Sequence, residues 1–443
     1  MAVPRIFDYD RAVAYLDSHI GRGMAPGLSR IKGLLDLMGH PEETYPMIHV
    51  AGTNGKTSTS RMATTLLMGH GLTTGTFISP HLQRVEERFH VNGAPLIDED
   101  FAQAVADVAA FADIYEQRSG ESLTYFELTA AIAFSWFADQ AVATGVIEVG
   151  LGGRLDATNA AHADVAVLTG VGLDHTEHLG STVEEIAGEK LAILEEEAVL
   201  VSGPLLPDLV RLANRTAAEK GAKHRHYGSD FNVEGAVPAV GGWTLDIEGV
   251  FGRYEDLYLP VHGRHQTINL AVAIAAVESL LDRGLDEEAV LQAVSVVVSP
   301  GRMEPVAVDP LLLLDGAHNA DGFRALGSSL REEFPSHSWV LVFSAMADKD
   351  VEGMLDAVES RVTHVVVTAI DSAMAPAAEE LADRVRDHLS VPVEAIDDNA
   401  GALARAREVA GGKGAVLVAG SLYLVGAVRS LELGEGVVHR NER

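Results

Sequence analysis

The strongest chemical signal in the chain is the segment VAGTNGKTSTS at residues 50–60, which follows an apolar run and precedes a helix-like run. Its two glycines let the backbone wrap closely, so that successive amide groups and a helix N-terminus face an anion. Lys56 adds a point charge for phosphate oxygens, and Thr57 or Ser58 can place a hydroxyl on Mg²⁺. The segment therefore predicts a nucleotide-phosphate loop, although its glycines are more closely spaced than in the strict Walker pattern.

Further candidates follow two other apolar runs. Glu148 ends the run TGVIE, and His175 follows the next run in LDHTEHLG. Parallel strands present their carboxyl ends at the ligand-binding edge of an open sheet, and a buried carboxylate there needs a cation or an ion pair. Mg²⁺ prefers such oxygen ligands, whereas an ion pair between Glu148 and Arg154 is the structural alternative. His175 is either a ligand or a solvated loop histidine.

Lys190 lies in STVEEIAGEKLAIL (181–194), a helix-like segment with apolar residues around the lysine. A lysine in such a position ordinarily extends its ammonium group along the helix surface to solvent. In a functional site it would act as a cation on phosphate or, when deprotonated, react with CO₂ to form a carbamate. The residues alone leave these interpretations open.

Strand-like and helix-like runs alternate over most of the chain and predict an α/β fold with parallel sheets. From about Lys223 to His262, short alternating runs with glycine punctuation predict an antiparallel β insert. A second α/β series follows the Pro-Gly turn in VVVSPGR (296–302). We therefore expect an N-terminal P-loop ATPase-type domain over 1–299, with a mostly parallel sheet, and a smaller C-terminal Rossmann-like α/β domain over 300–443.

The predicted strands and helices can be placed along both domains. The strands of the first domain are predicted at 46–52, 144–150, 163–172 and 198–203. Those of the second are predicted at 311–316, 339–345, 364–370, 391–397 and 415–420. Helices are predicted to follow the phosphate loop and at 182–194, 265–284 and 377–389.

The composition excludes several classes of protein. The 443 residues include 33 Lys+Arg against 64 Asp+Glu, which gives a net charge of -31. A surface of this sign repels nucleic acid and anionic membranes, so we expect neither as a partner. No apolar run reaches the roughly 18 residues of a membrane span, and the N-terminus carries charges where a signal peptide needs an apolar core. We expect a cytoplasmic protein. With no cysteine, any metal must have oxygen or imidazole ligands.

Short motifs occur along the chain in one order: GTNGKTS, SPHL, EVGLGGRLDATN, DHTEHLG with GEK behind it, GRHQTIN, SPGRMEPV, DGAHN, ADKD and GSLYLVG. This series resembles the Mur ligase superfamily and, within it, folylpolyglutamate synthase/dihydrofolate synthase. The resemblance implies an ATP-dependent ligase that joins the amine of L-glutamate to a carboxylate. The carboxylate would first take the γ-phosphoryl group of ATP, and the amine would then displace phosphate from the acyl phosphate.

The resemblance also implies site residues. For ATP they are Thr53, Asn54, Gly55, Lys56, Thr57, Ser58, Asn269, Arg302, Asp315 and His318. For two Mg²⁺ ions they are Ser58 (or Thr57), Ser79, Glu148, His175 and a carbamylated Lys190, and a monovalent cation is a further expectation. Lys56, Glu148, His175 and Lys190 form the implied catalytic set. The pterin-bearing substrate would contact Leu28, Ser29, Arg30, Thr124, Phe126, Glu127, Arg154 and Asp156, although Phe126 is equally explained by core packing. Lys349 of ADKD would help to form the glutamate side of the C-terminal domain.

Three functions stay open from the sequence. The first is addition of L-glutamate to dihydropteroate and to reduced folates, with small molecules as the only partners and a monomeric chain. The second is a Mur-like ligase that joins an amino acid to a non-folate carboxylate; against its peptidoglycan version, the phosphate loop comes too early for a preceding UDP-sugar domain. The third is a nucleotide-binding regulator without catalysis, against which Glu148, His175 and Lys190 argue. Departures from the family, such as GKTS where GKGS is usual, leave the ATP chemistry intact.

Overall fold

The computed structural model describes residues 7–21, 27–372 and 374–434. The outer ends of the two predicted domains, residues 1–6 and 435–443, lie outside this range. Within it, the first two sheets are built from strands between residues 47 and 259, and the third sheet from strands that begin at residue 304. The two parts are connected by a segment that begins at residue 296, directly after a helix that ends at Ser295.

An eight-stranded sheet organises the first part of the chain. Its strands are β1 (Met47–Ala51), β2 (Thr74–Phe77), β3 (Phe89–Val91), β4 (Ala94–Pro95), β5 (Thr144–Glu148), β6 (Val165–Leu168), β7 (Val199–Ser202) and β8 (Lys223–His226). They lie in the order β4-β3-β2-β5-β1-β6-β7-β8, and the neighbours from β2 to β8 are parallel. Every residue of β1, β5 and β6 is buried, as expected for parallel strands covered on both faces. The C-terminal ends of β5, β1 and β6 therefore lie side by side.

Helices cover both faces of this sheet. They are α1 (Tyr9–Asp17), α2 (Ser29–Met38), α3 (Lys56–Gly69), α4 (Asp98–Ser119), α5 (Tyr125–Asp139), α6 (Thr176–Leu179), α7 (Val183–Leu191), α8 (Pro207–Glu219), α9 (Arg264–Leu281) and α10 (Glu287–Ser295), with 3-10 turns at Pro41–Glu43, Val85–Arg88 and Ala157–Ala160. Alternate residues of β1 serve the two layers: Met47 packs with α1, α2, α4 and α5, and Ile48 packs with α3, α9 and α10. Among the described residues, no helix has the length and apolar character that a membrane crossing requires.

The insert is a three-stranded antiparallel sheet with β10 at its centre. Its strands are β9 (Asn232–Ala239), β10 (Gly242–Glu248) and β11 (Arg253–Leu259). The prediction that the insert begins near Lys223 was wrong, because β8 pairs in parallel with β7 and forms the edge of the main sheet. The sequence KHRH of this half-exposed edge strand has no apolar run to mark it as a parallel strand of the main sheet, which explains the error.

The second part of the chain has a six-stranded sheet of its own. Its strands are β12 (Glu304–Val308), β13 (Leu311–Leu314), β14 (Trp339–Phe343), β15 (Val362–Val367), β16 (Val393–Ala395) and β17 (Ala415–Ala419). Its helices are α11 (Ala320–Glu333), α12 (Val351–Asp356), α13 (Ala378–His388), α14 (Asn399–Ala410) and α15 (Leu422–Leu433), with a 3-10 turn at Glu359–Arg361. The order is β12-β13-β17-β14-β15-β16, with only β12 antiparallel to its neighbour among the described strands.

The predicted architecture is confirmed: a mostly parallel first sheet, a small antiparallel insert and a separate C-terminal α/β unit. Each strand predicted from an apolar run lies within a few residues of an observed strand. The strand β12 was not predicted, because its residues are half-exposed or exposed and form no apolar run. Its pairing with β13 is a local hairpin that contributes to the edge of the sheet.

Candidate functional site

A cleft of about 800 Å³ opens where the C-terminal ends of β1, β5 and β6 face the second α/β unit. It is lined by both units, so that the first supplies the phosphate loop and the second supplies residues around β13 and α11. Every residue predicted for nucleotide or metal lines it: Thr53, Asn54, Gly55, Lys56, Thr57, Ser58, Ser79, Glu148, His175, Lys190, Asn269, Arg302, Asp315 and His318.

The phosphate loop depends on two close approaches that only glycine allows. At Gly52, with φ +154°, a Cβ would lie 1.9 Å from the Thr169 hydroxyl oxygen. At Gly55, with φ +86°, it would lie 2.6 Å from the Asn269 Oδ1. The tight loop turns the side chain of Lys56 back, so that Nζ donates to the carbonyl of Gly52 at 3.0 Å. The lysine is held over its own loop, where a bound phosphate would lie.

Glu148 is a buried carboxylate next to this lysine, with 1% of its surface exposed. Its Oε1 accepts from the Thr57 hydroxyl at 2.9 Å and its Oε2 accepts from the Ser79 backbone amide at 3.2 Å. Burial raises the pKa of Glu148, and the charge of Lys56 and these hydrogen bonds oppose the rise. The Ser79 hydroxyl is also buried and has no hydrogen-bond partner among the described residues. Three oxygen-bearing side chains thus converge at the end of β5.

Lys190 reaches the same place from α7. The helix begins with a capping box in which Thr182 and Glu185 bond reciprocally, and this fixes its start beside the cleft. Lys190 is 5% exposed, and its Nζ donates to the Gly52 carbonyl at 3.1 Å, the oxygen that also accepts from Lys56. Burial, followed by the charge of Lys56, lowers the pKa of Lys190 to about 7. A large share of this lysine is therefore a neutral amine at physiological pH.

The loop after β6 links the two α/β units through Asp174. Its Oδ1 accepts from Lys349 Nζ at 2.8 Å and its Oδ2 accepts from Asn319 Nδ2 at 2.9 Å, and both donors belong to the second unit. Burial alone would raise the pKa of Asp174, but the Lys349 hydrogen bond and the charge of His175 hold it well below its usual value. His175 itself has φ +50°, and burial lowers the pKa of its imidazole.

Two polar groups of the second unit, the buried Asp315 and the half-buried His318, line the cleft together with the phosphate loop. Asp315 accepts from the backbone amides of Met303 and Ala317, both at 2.9 Å, and burial raises its pKa. The His318 Nδ1–H donates to the Gly316 carbonyl at 2.9 Å, while burial lowers the pKa of this imidazole to about 4. A neutral imidazole at this position can present its other nitrogen to a ligand.

Arg302 lies against Gly316, in the loop that follows β13. A Cβ added at Gly316 would fall 2.1 Å from Arg302 Nη1. The loop and the second unit are also joined directly by a pair of side-chain amide bonds between Asn54 and Asn319, each 3.2 Å long. On α9, the Asn269 amide donates to Gln266 Oε1 at 2.9 Å.

The two hydroxyl residues after Lys56 have different surroundings. The Thr57 hydroxyl faces Glu148, whereas the Ser58 hydroxyl shares a hydrogen bond of 3.1 Å with Ser299 in the segment between the units. Both residues line the cleft. The geometry therefore favours Thr57 over Ser58 as the hydroxyl nearest a metal bound by Glu148.

None of the eight residues predicted to contact the pterin is among the described residues that line this cleft. Arg30 and Glu127 form a buried ion pair, with Arg30 Nη2 2.9 Å from Glu127 Oε1 and side-chain exposures of 12% and 5%. Glu127 also accepts from the Thr124 backbone amide at 2.8 Å, as the second half of the capping box of α5. These three residues join α2 to α5. Leu28 packs against the same apolar layer, and Ser29 begins α2.

The other predicted pterin residues lie closer to the cleft. Asp156 is buried and accepts from the backbone amides of Leu151 at 2.8 Å and Thr158 at 3.0 Å, so it holds the loop after β5. Arg154 is exposed, and its Nε donates to Glu189 at 2.9 Å on the outer surface. Phe126 packs against Gly150, where a Cβ would lie 2.5 Å from its ring. Of the eight, Phe126 and Asp156 directly contact residues that line the cleft, Gly150 and Leu151 respectively.

Three polar residues in or near the site were not predicted: Asp174 lines the cleft, Asn319 bonds to Asp174, and Arg88 lies outside the lining residues. Asp174 precedes the predicted His175 and Asn319 follows the predicted His318, so each belongs to a motif whose neighbouring residue was chosen instead. Arg88 is not next to a predicted residue in any of these motifs. It is 7% exposed, its Nε donates to His81 Nδ1 at 3.0 Å, and its guanidinium lies 5.3 Å from the Tyr125 ring centroid. No described carboxylate forms an ion pair with it.

Two family models match the chain. Residues 50–277 match the Mur ligase middle domain, and residues 301–422 match the Mur ligase glutamate ligase domain. The dihydrofolate synthase/folylpolyglutamate synthase of Mycobacterium tuberculosis is 37% identical over 441 residues, which cover 92% of this chain and 90% of that protein. The dihydrofolate synthase/folylpolyglutamate synthase of Escherichia coli is 32% identical and covers 94% of this chain and 93% of that protein.

Solved structures agree with these relatives. The structure of Mycobacterium tuberculosis folylpolyglutamate synthase complexed with ADP has a TM-score of 0.92 and 35% identity, covering 96% of this chain and 98% of that chain. The structure of E. coli FolC in complex with DHPP and ADP has a TM-score of 0.84 and 31% identity, covering 96% and 97%.

Proposed function

We infer the reaction from family membership: the chain belongs to the Mur ligase family, among the dihydrofolate synthases/folylpolyglutamate synthases. It is an ATP-dependent ligase, and its substrates are small molecules. We assign to it the addition of L-glutamate to the free carboxylate of dihydropteroate, of reduced folates, or of both. The cleft supports this assignment because it brings a phosphate loop, buried oxygen ligands and cations from two α/β units together.

The chemistry requires activation of a poor electrophile. The acceptor carboxylate oxygen attacks the γ-phosphorus of ATP, ADP leaves, and an acyl phosphate forms. The glutamate amine then attacks the acyl carbon, loses a proton, and the tetrahedral intermediate expels inorganic phosphate as the amide forms. Since the protein contributes mainly position and charge neutralisation, Lys56 over its loop is the residue we place on the transferred phosphoryl group.

The observation that carries the assignment is the pair of lysines on one carbonyl oxygen. Lys56 and Lys190 both donate to the Gly52 oxygen, and Glu148 is the carboxylate whose charge acts on Lys56. A binding module for nucleotide alone needs only the first lysine. The second, buried with its pKa lowered to about 7, fits a group that must become an anion by reacting with CO₂.

The residues around Glu148, at the C-terminal end of β5, fit Mg²⁺. The unpartnered buried hydroxyl of Ser79, the Thr57 hydroxyl and the Glu148 carboxylate are hard oxygen donors, and His175 is an additional donor on the neighbouring loop. Bound there, magnesium would neutralise phosphate charge. A carbamate on Lys190 would add two more oxygens and would turn a repulsive neighbour of Lys56 into an attractive one. The number of Mg²⁺ ions, the carbamate and the monovalent cation are parts of this proposal.

The division of labour between the two units is also part of the proposal. We place the boundary between 1–299, which would bind ATP and the pterin substrate, and 300–443, which would bind glutamate and close over ATP. The hydrogen bond between Ser58 and Ser299 supports this position of the hinge, because it joins the phosphate loop helix to the connecting segment. Arg302, Asp315 and His318 would contact ATP, and Lys349 would shape the glutamate side. The monomeric state and cytoplasmic location expected from the sequence stay predictions.

An acceptor panel tests the function. Purified protein with MgATP and L-glutamate should form ADP and phosphate only when dihydropteroate or a reduced folate is added, and the product should gain the mass of one glutamyl residue. Turnover with an unrelated carboxylate, and none with any pterin-bearing acceptor, would favour the non-folate ligase instead. Lys56→Met serves as the control for contaminating phosphatase activity.

A pair of adjacent variants tests the metal assignment. Thr57→Val should raise the Mg²⁺ concentration for half-maximal turnover by at least about tenfold, because it removes a hydroxyl that faces Glu148. Ser58→Ala, matched in removing one hydroxyl, should change it less than about threefold. The reverse order of effects would assign the ligand to Ser58.

A further inference from the structure

The loop between β2 and β3 contacts the two α/β units at once. We call residues 79–88 the bridging loop. At its start, the Ser79 backbone amide donates to Glu148 Oε2 at 3.2 Å, beside the hydroxyl that we assigned to the metal. Three residues later, Leu82 packs against the apolar cluster on one face of the six-stranded sheet, with Val425 among its members. The bridging loop thus begins at the candidate metal site and continues into the other unit.

The contact with the second unit involves the backbone. A Cβ added at Gly426 on α15 would lie 1.9 Å from the Leu82 carbonyl oxygen, so this helix approaches the bridging loop more closely than any larger residue permits. At Gly301, with φ +65°, a Cβ would lie 3.1 Å from both Leu82 and Val425. Leu82 is therefore enclosed between the connecting segment and α15.

Polar bonds fix the next residue to the same helix. Gln83 Nε2 donates to the Ser430 hydroxyl at 2.8 Å and to the Gly434 carbonyl at 3.3 Å, and its Oε1 accepts from Arg429. These contacts join a residue of the first unit to the last turns of α15. They orient the bridging loop as well as holding it.

The bridging loop is internally braced, so a displacement at one end reaches the other. Glu87 accepts from the backbone amides of Leu82 at 2.8 Å, Gln83 at 3.1 Å and Arg84 at 3.0 Å. Only Pro80 and His81 separate Ser79 from Leu82, a span of at most about 10 Å of chain. This short segment can absorb little of a movement of α15 relative to the first sheet, so such a movement should displace Ser79.

We propose that Leu82 and Gln83 are positioning residues that make the placement of Ser79 beside Glu148 depend on the position of the C-terminal unit. The metal site around Glu148 is then completed by α15 acting through the bridging loop, although among the described residues of α15 only the first two, Leu422 and Tyr423, line the cleft. The consequence for the reaction rests on the proposed function, because it uses Ser79 as a metal ligand. The mechanical link rests on the contacts alone.

Two variants and one matched control test the link. Leu82→Ala removes the apolar side-chain contact with α15. Gln83→Ala removes the polar bonds with little loss of buried apolar surface. Leu403→Ala is the control, because Leu403 belongs to the same apolar cluster but lies on α14. It weakens the C-terminal unit without truncating the bridging loop. The first measurement is residue-resolved hydrogen–deuterium exchange of the Ser79 amide in the absence of substrates.

We expect the Ser79 amide to exchange roughly tenfold faster or more in Leu82→Ala, with a smaller change in the same direction in Gln83→Ala, and within about twofold of wild type in Leu403→Ala. The second measurement is the Mg²⁺ concentration for half-maximal turnover, which should rise about tenfold in Leu82→Ala and stay unchanged in the control. Equal Ser79 exchange in Leu82→Ala and Leu403→Ala, with Gln83→Ala like wild type, would overturn the inference. A wild-type protein without turnover on any acceptor would instead contradict the proposed function and leave the exchange test in force.

Discussion

The phosphate end of the cleft and the region of the predicted pterin residues differ in how their polar side chains are used. Around Glu148, two lysines, a hydroxyl without a partner and an aspartate shared between units leave bonding capacity for ligands. Around Glu127, the carboxylate is already occupied by Arg30 and by the cap of α5. The polar groups around Glu148 are therefore available to bind a ligand, whereas those around Glu127 are largely bonded to other residues of the protein.

The difference follows from what holds each region in place. The phosphate-end residues sit on loops after adjacent parallel strands, where the topology of an open sheet brings ligand-binding groups together. The pterin candidates Arg30 and Glu127 sit on packed helices, where a buried charge requires a partner from its neighbour. We therefore expect substitutions at the phosphate end to reduce turnover, and substitutions at Glu127 to reduce stability.

The largest expected effect is at the phosphate loop. Lys56→Met removes the charge over the transferred phosphoryl group and should lower kcat by about a thousandfold or more. The free energy of unfolding should change little, because the desolvated ammonium group is replaced by an apolar chain of similar length. Kinetics together with urea unfolding measure both quantities. Lys413→Met, on an exposed lysine, should match wild type in each, and a Lys56→Met enzyme with near-normal kcat would contradict the assignment.

Glu127→Ala should act through stability. It removes the carboxylate that pairs with Arg30 and half of a capping box, which together should lower the free energy of unfolding by about 3–5 kcal/mol. The kcat of the folded fraction should fall less than about threefold. Urea unfolding and turnover below the transition measure the two effects. An unchanged unfolding free energy with a large rise in acceptor KM would make Glu127 a substrate ligand and remove the contrast between the regions.

The pH dependence of Lys190 carbamylation should change slope near pH 7. Burial depresses the pKa to about 7, so the neutral amine, the form that reacts with CO₂, should grow from about a tenth of the population at pH 6 to about nine tenths at pH 8. At a fixed concentration of dissolved ¹³CO₂, the amine adds CO₂ and releases one proton, R–NH₂ + CO₂ → R–NH–COO⁻ + H⁺. The ¹³C carbamate signal of the metal-free protein should therefore rise about a hundredfold per pH unit below pH 7 and about tenfold per pH unit above it, until the site is filled.

Two variants identify that signal. Lys190→Ala should abolish it, while Lys220→Ala, which removes a lysine from the end of α8, should leave it intact. A signal whose rise stays near a hundredfold per pH unit up to about pH 10 would belong to solvent-exposed lysines, whose pKa is about 10.4. Its persistence in Lys190→Ala would exclude this lysine as the reactive amine.

The smallest effect is expected at Arg154. Its ion pair with Glu189 is partly exposed, with side-chain exposures of 55% and 33%, and such pairs contribute at most about 1 kcal/mol. Arg154→Ala should therefore leave the acceptor KM within about threefold of wild type and the melting temperature within about 2 °C. A rise in acceptor KM above tenfold would show that Arg154 turns toward the substrate when it binds.

Sequence reasoning was strongest where chemistry and topology coincide. The phosphate loop and Glu148 each stand at the end of a recognisable apolar run, so both their type and their placement at the strand ends were predictable. It was weaker where a position depends on distant partners. Nothing local marks Arg88 beneath Tyr125, and nothing in KHRH reveals that β8 pairs with β7. The roles of Thr57 and Ser58 were likewise separable only through their contacts with Glu148 and Ser299.

The transfer of oxygen from substrate to phosphate tests the central claim most directly. Dihydropteroate labelled with ¹⁸O in its carboxylate should be converted with MgATP and L-glutamate, and the phosphate should be analysed by mass spectrometry. An acyl phosphate pathway predicts one substrate-derived ¹⁸O in each phosphate formed. Phosphate without ¹⁸O, formed in step with the glutamylated product, would contradict activation of the acceptor carboxylate by ATP.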